Sequence, residues 1–293
     1  MSGASRHGTG GDRPGHEGAR NLGGSHEIVR TRGGALAMRS LVDGEVMHPG
    51  VGPFVEAEQL YVRQSRLRER LLAGQGGEVE RLVLFDVGLG AGSNALAARS
   101  ASEELTQSAA RLELVSFERD LGALELALTA GEPFGWRGEP AQAARALLAH
   151  DAHETARTRW RLVRGDLLET LARQTLRADI IYWDPFSPRA NPALWTVAAF
   201  SEARRVAGPR CTLFTYSAST ATRLALLLAG WAVGVGDAIG DKAQTTSAAV
   251  AVSELVRPLD RAWLARLARP DVPLPSDAPP DPIARARLAP QFV

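Results

Sequence analysis

The strongest constraint on this chain is an apolar run that ends in a cluster of glycines: RLVLFDVG over residues 81–88, then Leu89, Gly90, Ala91, Gly92, Ser93 and Asn94. An unbroken apolar run of this length fits a strand covered on both faces, the kind found in parallel sheets. The glycines let the backbone turn tightly and approach a ligand, and the helix predicted over Asn94–Ser100 opens with free N–H groups. The alternation then repeats. Strands are expected at 112–118, 160–166, 178–184, 211–217, 231–235 and 246–255. Helices are expected over Leu121–Ala130, Gln142–His150, Leu167–Arg173, Ala193–Val206 and Thr220–Ala229. Strands separated by helices imply a mostly parallel sheet with helices on both faces. The last two strands form an antiparallel hairpin, and an amphipathic helix over Leu60–Leu72 precedes the sheet.

The 293 residues suit one large α/β domain with extensions. Residues 1–33 lack apolar periodicity and read as a disordered tail. Residues 257–293 contain PDVPLPSDAPPDP and read as a proline-rich tail in which a short helix around Arg261–Arg269 docks on the body. A formal net charge of +1 gives no global field for nucleic acid. Cys211 is the one cysteine, so no internal disulfide forms, and its strand setting makes it a core thiol. The longest apolar run, Leu224–Val235, is too short to span a membrane, and no signal core precedes the body. A cytoplasmic protein without a membrane partner is expected; nothing sets the oligomeric state, and a monomer is the default.

Three successive strand ends carry groups suited to one ligand. The dinucleotide fingerprint wants its third glycine at the position of Ser93, which disfavours a nicotinamide oxidoreductase. Glycines at 88, 90 and 92 fit S-adenosylmethionine instead, with the helix tip facing its amino-acid carboxylate. Glu118 closes the second strand, where a carboxylate accepts ribose hydroxyls. Asp166 closes the third, beside the expected adenine. The alternative for both acids is a helix N-cap.

IIYWDPFSPRANPALW, residues 180–195, is the most informative stretch. Asp184 ends a buried strand, Pro185 and Pro188 stiffen the following loop, and Phe186 and Trp195 supply flat apolar faces. This suits a planar or amine-bearing substrate. Here the chain resembles the MnmC-like methyltransferase family, whose pattern is matched by Asp184, Phe186, Ser187, Pro188, Asn191, Pro192, Leu194 and Trp195. Gly88, Gly90, Gly92 and Asn94 match the family's glycine loop. Glu56 and Tyr61 correspond to a Glu and an aromatic residue before the sheet, and Gly240, Asp241 and Lys242 to a late turn. The likeness covers roughly residues 38–252. In departure from the family, Asp241 stands where a basic residue is favoured, Pro185 replaces a small residue, and Glu132–Arg159 reads as an insertion or lid.

The resemblance implies a doubly wound, Rossmann-like class I S-adenosylmethionine-dependent methyltransferase fold: a mostly parallel seven-stranded sheet with an antiparallel last strand. A cap or lid segment would span residues 34–75 and the catalytic domain 76–256. It implies S-adenosyl-L-methionine as cofactor, no FAD or oxidase activity, no metal, and tRNA as a partner through an aminomethyl group on a wobble uridine. The cofactor would be held by Gly88, Gly90, Gly92, Asn94, Glu118, Asp166 and Glu56. The acceptor would meet Phe186, Pro188, Asn191, Trp195, Tyr61, His48 and Lys242, with Asp184 as the catalytic acid–base group. The competing readings are a small-molecule amine N-methyltransferase, an aminopropyltransferase-like enzyme, and a binding module without chemistry.

Overall fold

The computed structural model describes residues 24–31, 34–47, 52–73, 81–106, 109–239, 243–269 and 271–293. An antiparallel hairpin of β1 (His26–Arg30) and β2 (Leu36–Ser40) comes first. Helix α1 (Pro53–Glu56) runs into a π-helical stretch, Ala57–Arg63, and then α2 (Leu67–Ala73). The alternating body follows: β3 (Arg81–Val87), α3 (Ser93–Glu103), β4 (Arg111–Glu118), α4 (Gly122–Ala130), α5 (Gly138–His150), β5 (Ala152–Glu154), β6 (Thr158–Arg164), α6 (Leu167–Ala172), β7 (Ala178–Trp183), α7 (Val197–Arg205), β8 (Ala207–Thr215), α8 (Thr220–Leu228), β9 (Ala232–Gly236) and β10 (Thr245–Ala249). The chain closes with α9 (Arg261–Arg266) and α10 (Pro282–Arg287).

The main sheet has the order β5-β6-β4-β3-β7-β8-β10-β9. Its central five strands pair in parallel, and β10 lies antiparallel between β8 and β9, as the final hairpin requires. The seven expected strands are present in a Rossmann-like arrangement. An eighth, β5, is added antiparallel on the outer side of β6, too short to be read from alternation. Strand pleating sends successive side chains to opposite faces. Leu82 and Leu84 of β3 pack with Leu96, Leu124 and Leu147 on one side of the sheet, and Val83, Phe85 and Val87 with Leu171, Phe200 and Leu224 on the other. Cys211 is buried in the second core, and burial pushes its thiol up to about 12.

Three expectations need correction. The continuous helix Leu60–Leu72 is broken at Arg66, whose φ of 54° lies in the left-handed region. Leu60, Tyr61 and Val62 are buried in succession, which a single-faced amphipathic helix cannot do, and the π-helical turn accommodates them. The disordered tail 1–33 fails at its end: β1 forms, and His26 is buried. Most of that tail, residues 1–23, 32 and 33, lies outside the described residues. Third, packing of residues 257–293 extends beyond the expected short helix, through Ala286 and Phe292. Val235 N donates to Arg257 O at 2.8 Å and Leu259 N to Val233 O at 2.8 Å, so this segment covers the outer edge of β9. Gln291 bonds both Val233 and Leu259, and Asp277 caps α7 through Val197 N and Ala198 N.

Among the described residues no helix is long and apolar enough to cross a membrane.

Candidate active site

Strand order reverses direction between β3 and β7, since β4 and β6 lie to one side of β3 while β7 and β8 lie to the other. Such a switch point leaves a crevice at the carboxyl ends of the strands. A cavity of about 400 Å³ occupies it, within the range of roughly 300–1,000 Å³ usual for small-molecule sites. Gly88–Ala91, Phe117–Asp120 and Gly165–Leu167 line its β4/β6 side. Asp184, Pro185, Phe186, Asn191 and Tyr216 line the β7/β8 side, with Glu56 from α1 and Asp43, Glu45, Val46 and Met47 from the segment after β2.

The glycines are sterically required. Gly88, Gly90 and Gly92 all have φ between 52° and 85°. A Cβ at Gly88 would meet Asp184 O at 2.7 Å, and one at Gly92 would meet the Trp136 ring at 2.6 Å. Trp136 also donates its indole N–H to Ala91 O at 3.0 Å. Part of the Glu132–Arg159 segment therefore buttresses the glycine loop from behind.

Glu118 accepts from Gly90 N at 3.0 Å, Arg119 N at 2.8 Å and Asp120 N at 3.0 Å. Its carboxylate is thus fixed at the rim of the glycine loop. Asp166 lines the cavity and also caps α6, accepting from Leu168 N at 2.9 Å and Glu169 N at 3.3 Å.

On the other side, Asn94 Nδ2 donates to Asp184 Oδ2 at 2.7 Å. Asn94 is buried and does not line the cavity, so the side chain expected at the cofactor is turned towards Asp184. Tyr61 is likewise fully buried beneath the cavity wall, its ring 4.9 Å from that of Tyr182. Burial, then the adjacent Asp184 charge, raise the Tyr61 pKa well above the ordinary phenol value. The same two causes, in the same order, raise Tyr216, whose hydroxyl donates to Pro185 O at 3.1 Å. Both phenols therefore stay protonated.

Trp195 does not line the cavity either. Its indole N–H donates to Phe186 O at 2.8 Å and its ring packs edge-on against Tyr216 at 5.6 Å, so it braces the loop that carries Phe186. Pro188 also lies off the cavity lining, whereas Phe186 and Asn191 are on it. His48 and Lys242 fall outside the described residues.

Several lining residues carried no sequence expectation. Glu45 reaches the acceptor loop, accepting from Ser187 N at 3.2 Å and Ser187 Oγ at 3.0 Å. Met47 covers the glycine loop, its sulfur 3.2 Å from where a Gly90 Cβ would sit. His26, from β1, lines the cavity at the Asp120 end. Tyr216 was discoverable, because it follows an apolar strand just as Glu118 and Asp184 do; Glu45 and His26 have no comparable local signal. Among the described residues, seven carboxylates line the cavity (Asp43, Glu45, Glu56, Glu118, Asp120, Asp166 and Asp184) against the basic groups of Arg119 and His26. That balance favours a cationic ligand.

The profile of a family described as S-adenosyl-L-methionine-dependent methyltransferase matches residues 140–251. Since the match runs through residues 140–159, that part of the expected insertion belongs to the family pattern. The tRNA 5-methylaminomethyl-2-thiouridine biosynthesis bifunctional protein MnmC of Pseudomonas aeruginosa (strain UCBPP-PA14) is 32% identical over 187 residues, covering 61% of this chain and 28% of that protein. Its counterpart in Stutzerimonas stutzeri (strain A1501) is 29% identical over 238 residues, covering 77% of this chain and 35% of that protein. The chain thus spans about a third of the length of these curated relatives. The crystal structure of MNMC2 from Aquifex aeolicus superposes with a TM-score of 0.67 at 25% identity, covering 92% of this chain and 85% of that one. The sequence match, the shared fold and the glycine-lined crevice agree: residues 140–251 match the S-adenosyl-L-methionine-dependent methyltransferase family, and the chain resembles the MnmC proteins over about a third of their length.

Proposed function

We propose that the chain methylates an amine nitrogen, and that the amine is the aminomethyl group of a wobble uridine in tRNA. The observation that carries the chemistry is the placement of Asp184 at the end of β7, across the switch point from Glu118 and held by Asn94. The tRNA assignment rests on the names of the MnmC relatives.

The glycine cradle, which a Cβ would fill, and the carboxylate fixed beside it fit S-adenosyl-L-methionine. When bound, that molecule supplies an electrophilic methyl on a positively charged sulfur. Gly88, Gly90 and Gly92 give the backbone close approach, and Glu118 and Asp166 supply acceptors for ribose and adenine. Glu56 adds negative charge on the opposite wall. Asp184 accepts the proton that the acceptor ammonium must lose before its lone pair can attack the methyl carbon, while the carbon–sulfur bond breaks. Phe186 supplies a flat face for the base and Asn191 a polar group beside it.

The acidic lining also supports a second reading, a free small-molecule amine as acceptor, because phosphate is repelled by such a wall. The test is transfer of labelled methyl from S-adenosyl-L-methionine to tRNA bearing aminomethylated wobble uridine, run beside a panel of small amines. Label in the anticodon supports the tRNA reading. Label in a small amine alone overturns it and leaves the amine methyltransferase standing.

A further inference from the structure

We infer that Asn94 is a positioning residue for Asp184: its amide fixes the orientation of the carboxylate and favours the charged form that can take a proton. The inference rests on the reading that Asp184 faces the acceptor amine.

An ionised carboxylate only accepts hydrogen bonds, so the Asn94 amide must present Nδ2 to it, as the 2.7 Å contact records. That orientation leaves Asn94 Oδ1 buried without a partner among the described residues. A buried acceptor with no donor is a standing cost. An apolar side chain would avoid it, so the geometry points to a gain elsewhere, and the amide's one bond goes to Asp184.

The surroundings show why a donor matters. Asp184 is approached by Tyr61 from the helical segment before the sheet, by Asp86 from β3 and by Tyr216 after β8, and Glu56 acts on the same two tyrosines. Neighbouring carboxylates disfavour ionisation, and a protonated Asp184 cannot accept a proton. A donor to the charged form opposes them. The Asn94 amide supplies such a donor to Oδ2 from the first turn of α3, the helix that follows the glycine loop.

The test compares Asn94→Ala and Asn94→Asp with the wild type. Asn94→Asp keeps shape and volume, so it reports even if the alanine variant folds poorly. Three readouts are taken: S-adenosylhomocysteine affinity, the pH profile of single-turnover methyl transfer, and a carbon-13 carboxyl titration in which Asp184 is the resonance lost in Asp184→Asn. The expected result is cofactor affinity within about threefold of wild type, and an acid limb moved up by about one pH unit in Asn94→Ala and further in Asn94→Asp. At pH 7 the rate falls about tenfold and recovers at high pH. A rate loss equal at every pH with an unmoved limb, or a loss confined to cofactor affinity, overturns the inference. The titration needs no acceptor. If no amine is methylated, the proposed function fails, and the Asp184 resonance alone decides whether Asn94 sets its charge state.

Discussion

The two sides of the cavity are built by different means. On the β4/β6 side, carboxylates are satisfied by backbone N–H groups: Glu118 by those of Gly90, Arg119 and Asp120, and Asp166 by the first turn of its own helix. On the β7/β8 side, Asp184 is held by the side chain of Asn94, ninety positions away, over the buried Tyr61, and its loop is tied by Glu45 from before the sheet. Local backbone support tolerates sequence drift around it, whereas distant side-chain support makes the acceptor side sensitive to single substitutions. Damage on the first side is therefore expected in cofactor affinity, and on the second in rate.

Gly88→Ala should blur this division most, because Gly88 lies where the two sides meet. Its φ of 85° and a Cβ placed 2.7 Å from Asp184 O would force the glycine loop and the β7 loop apart. Cofactor affinity and turnover should both collapse, measured by calorimetry and methyl transfer; loss of only one would show that the loops are independent.

Trp195→Ala sharpens the comparison through stability. The ring is buried against Phe200 and Tyr216, so its removal should cost about 3–5 kcal/mol in denaturant unfolding. A change in acceptor affinity without a stability loss would return Trp195 to the substrate surface.

Glu118→Ala should weaken S-adenosylhomocysteine binding by about 1–3 kcal/mol and leave the rate at saturating cofactor nearly unchanged. Unaltered affinity would remove Glu118 from the cofactor side.

A separate effect is expected in a pH slope. Burial raises the Asp86 carboxyl to about 7, above the value of an unfolded chain, and Ser116, which donates to it at 2.8 Å, offsets only part of this. A raised folded pKa means that the folded state binds more protons, so this contribution is fullest below about pH 4 and is lost as pH rises through about 7. Relative to Asp86→Asn, the wild-type melting temperature should fall between pH 4 and pH 8. Parallel curves would show that Asp86 titrates alike in both states.

The same contrast explains what the sequence disclosed. The strand–glycine–helix run, Glu118, Asp166 and Asp184 were readable because each is set by its own strand end. Glu45 and His26 were not, since they reach the cavity from the segment after β2 and from a five-residue strand without strong alternation. Asn94 and Tyr61 were singled out by pattern but placed at the wrong contacts, because a motif fixes position along the chain and not the direction of a side chain. Trp195 looked like a stacking face because an aromatic beside an acid at a strand end is ambiguous between wall and brace; its indole N–H, committed to Phe186 O, makes it a brace. In the proline-rich tail the short helix was readable, whereas Asp277 and Gln291 tie the rest to the body through bonds no local pattern announces.

The most direct test of the account is single-turnover methyl transfer by Asp184→Asn, with S-adenosylhomocysteine affinity measured on the same preparation. The substitution keeps the shape and removes the charge. The account predicts a rate about 10²–10⁴-fold slower with cofactor affinity largely intact. Abolished cofactor binding, or an unchanged rate, would contradict it.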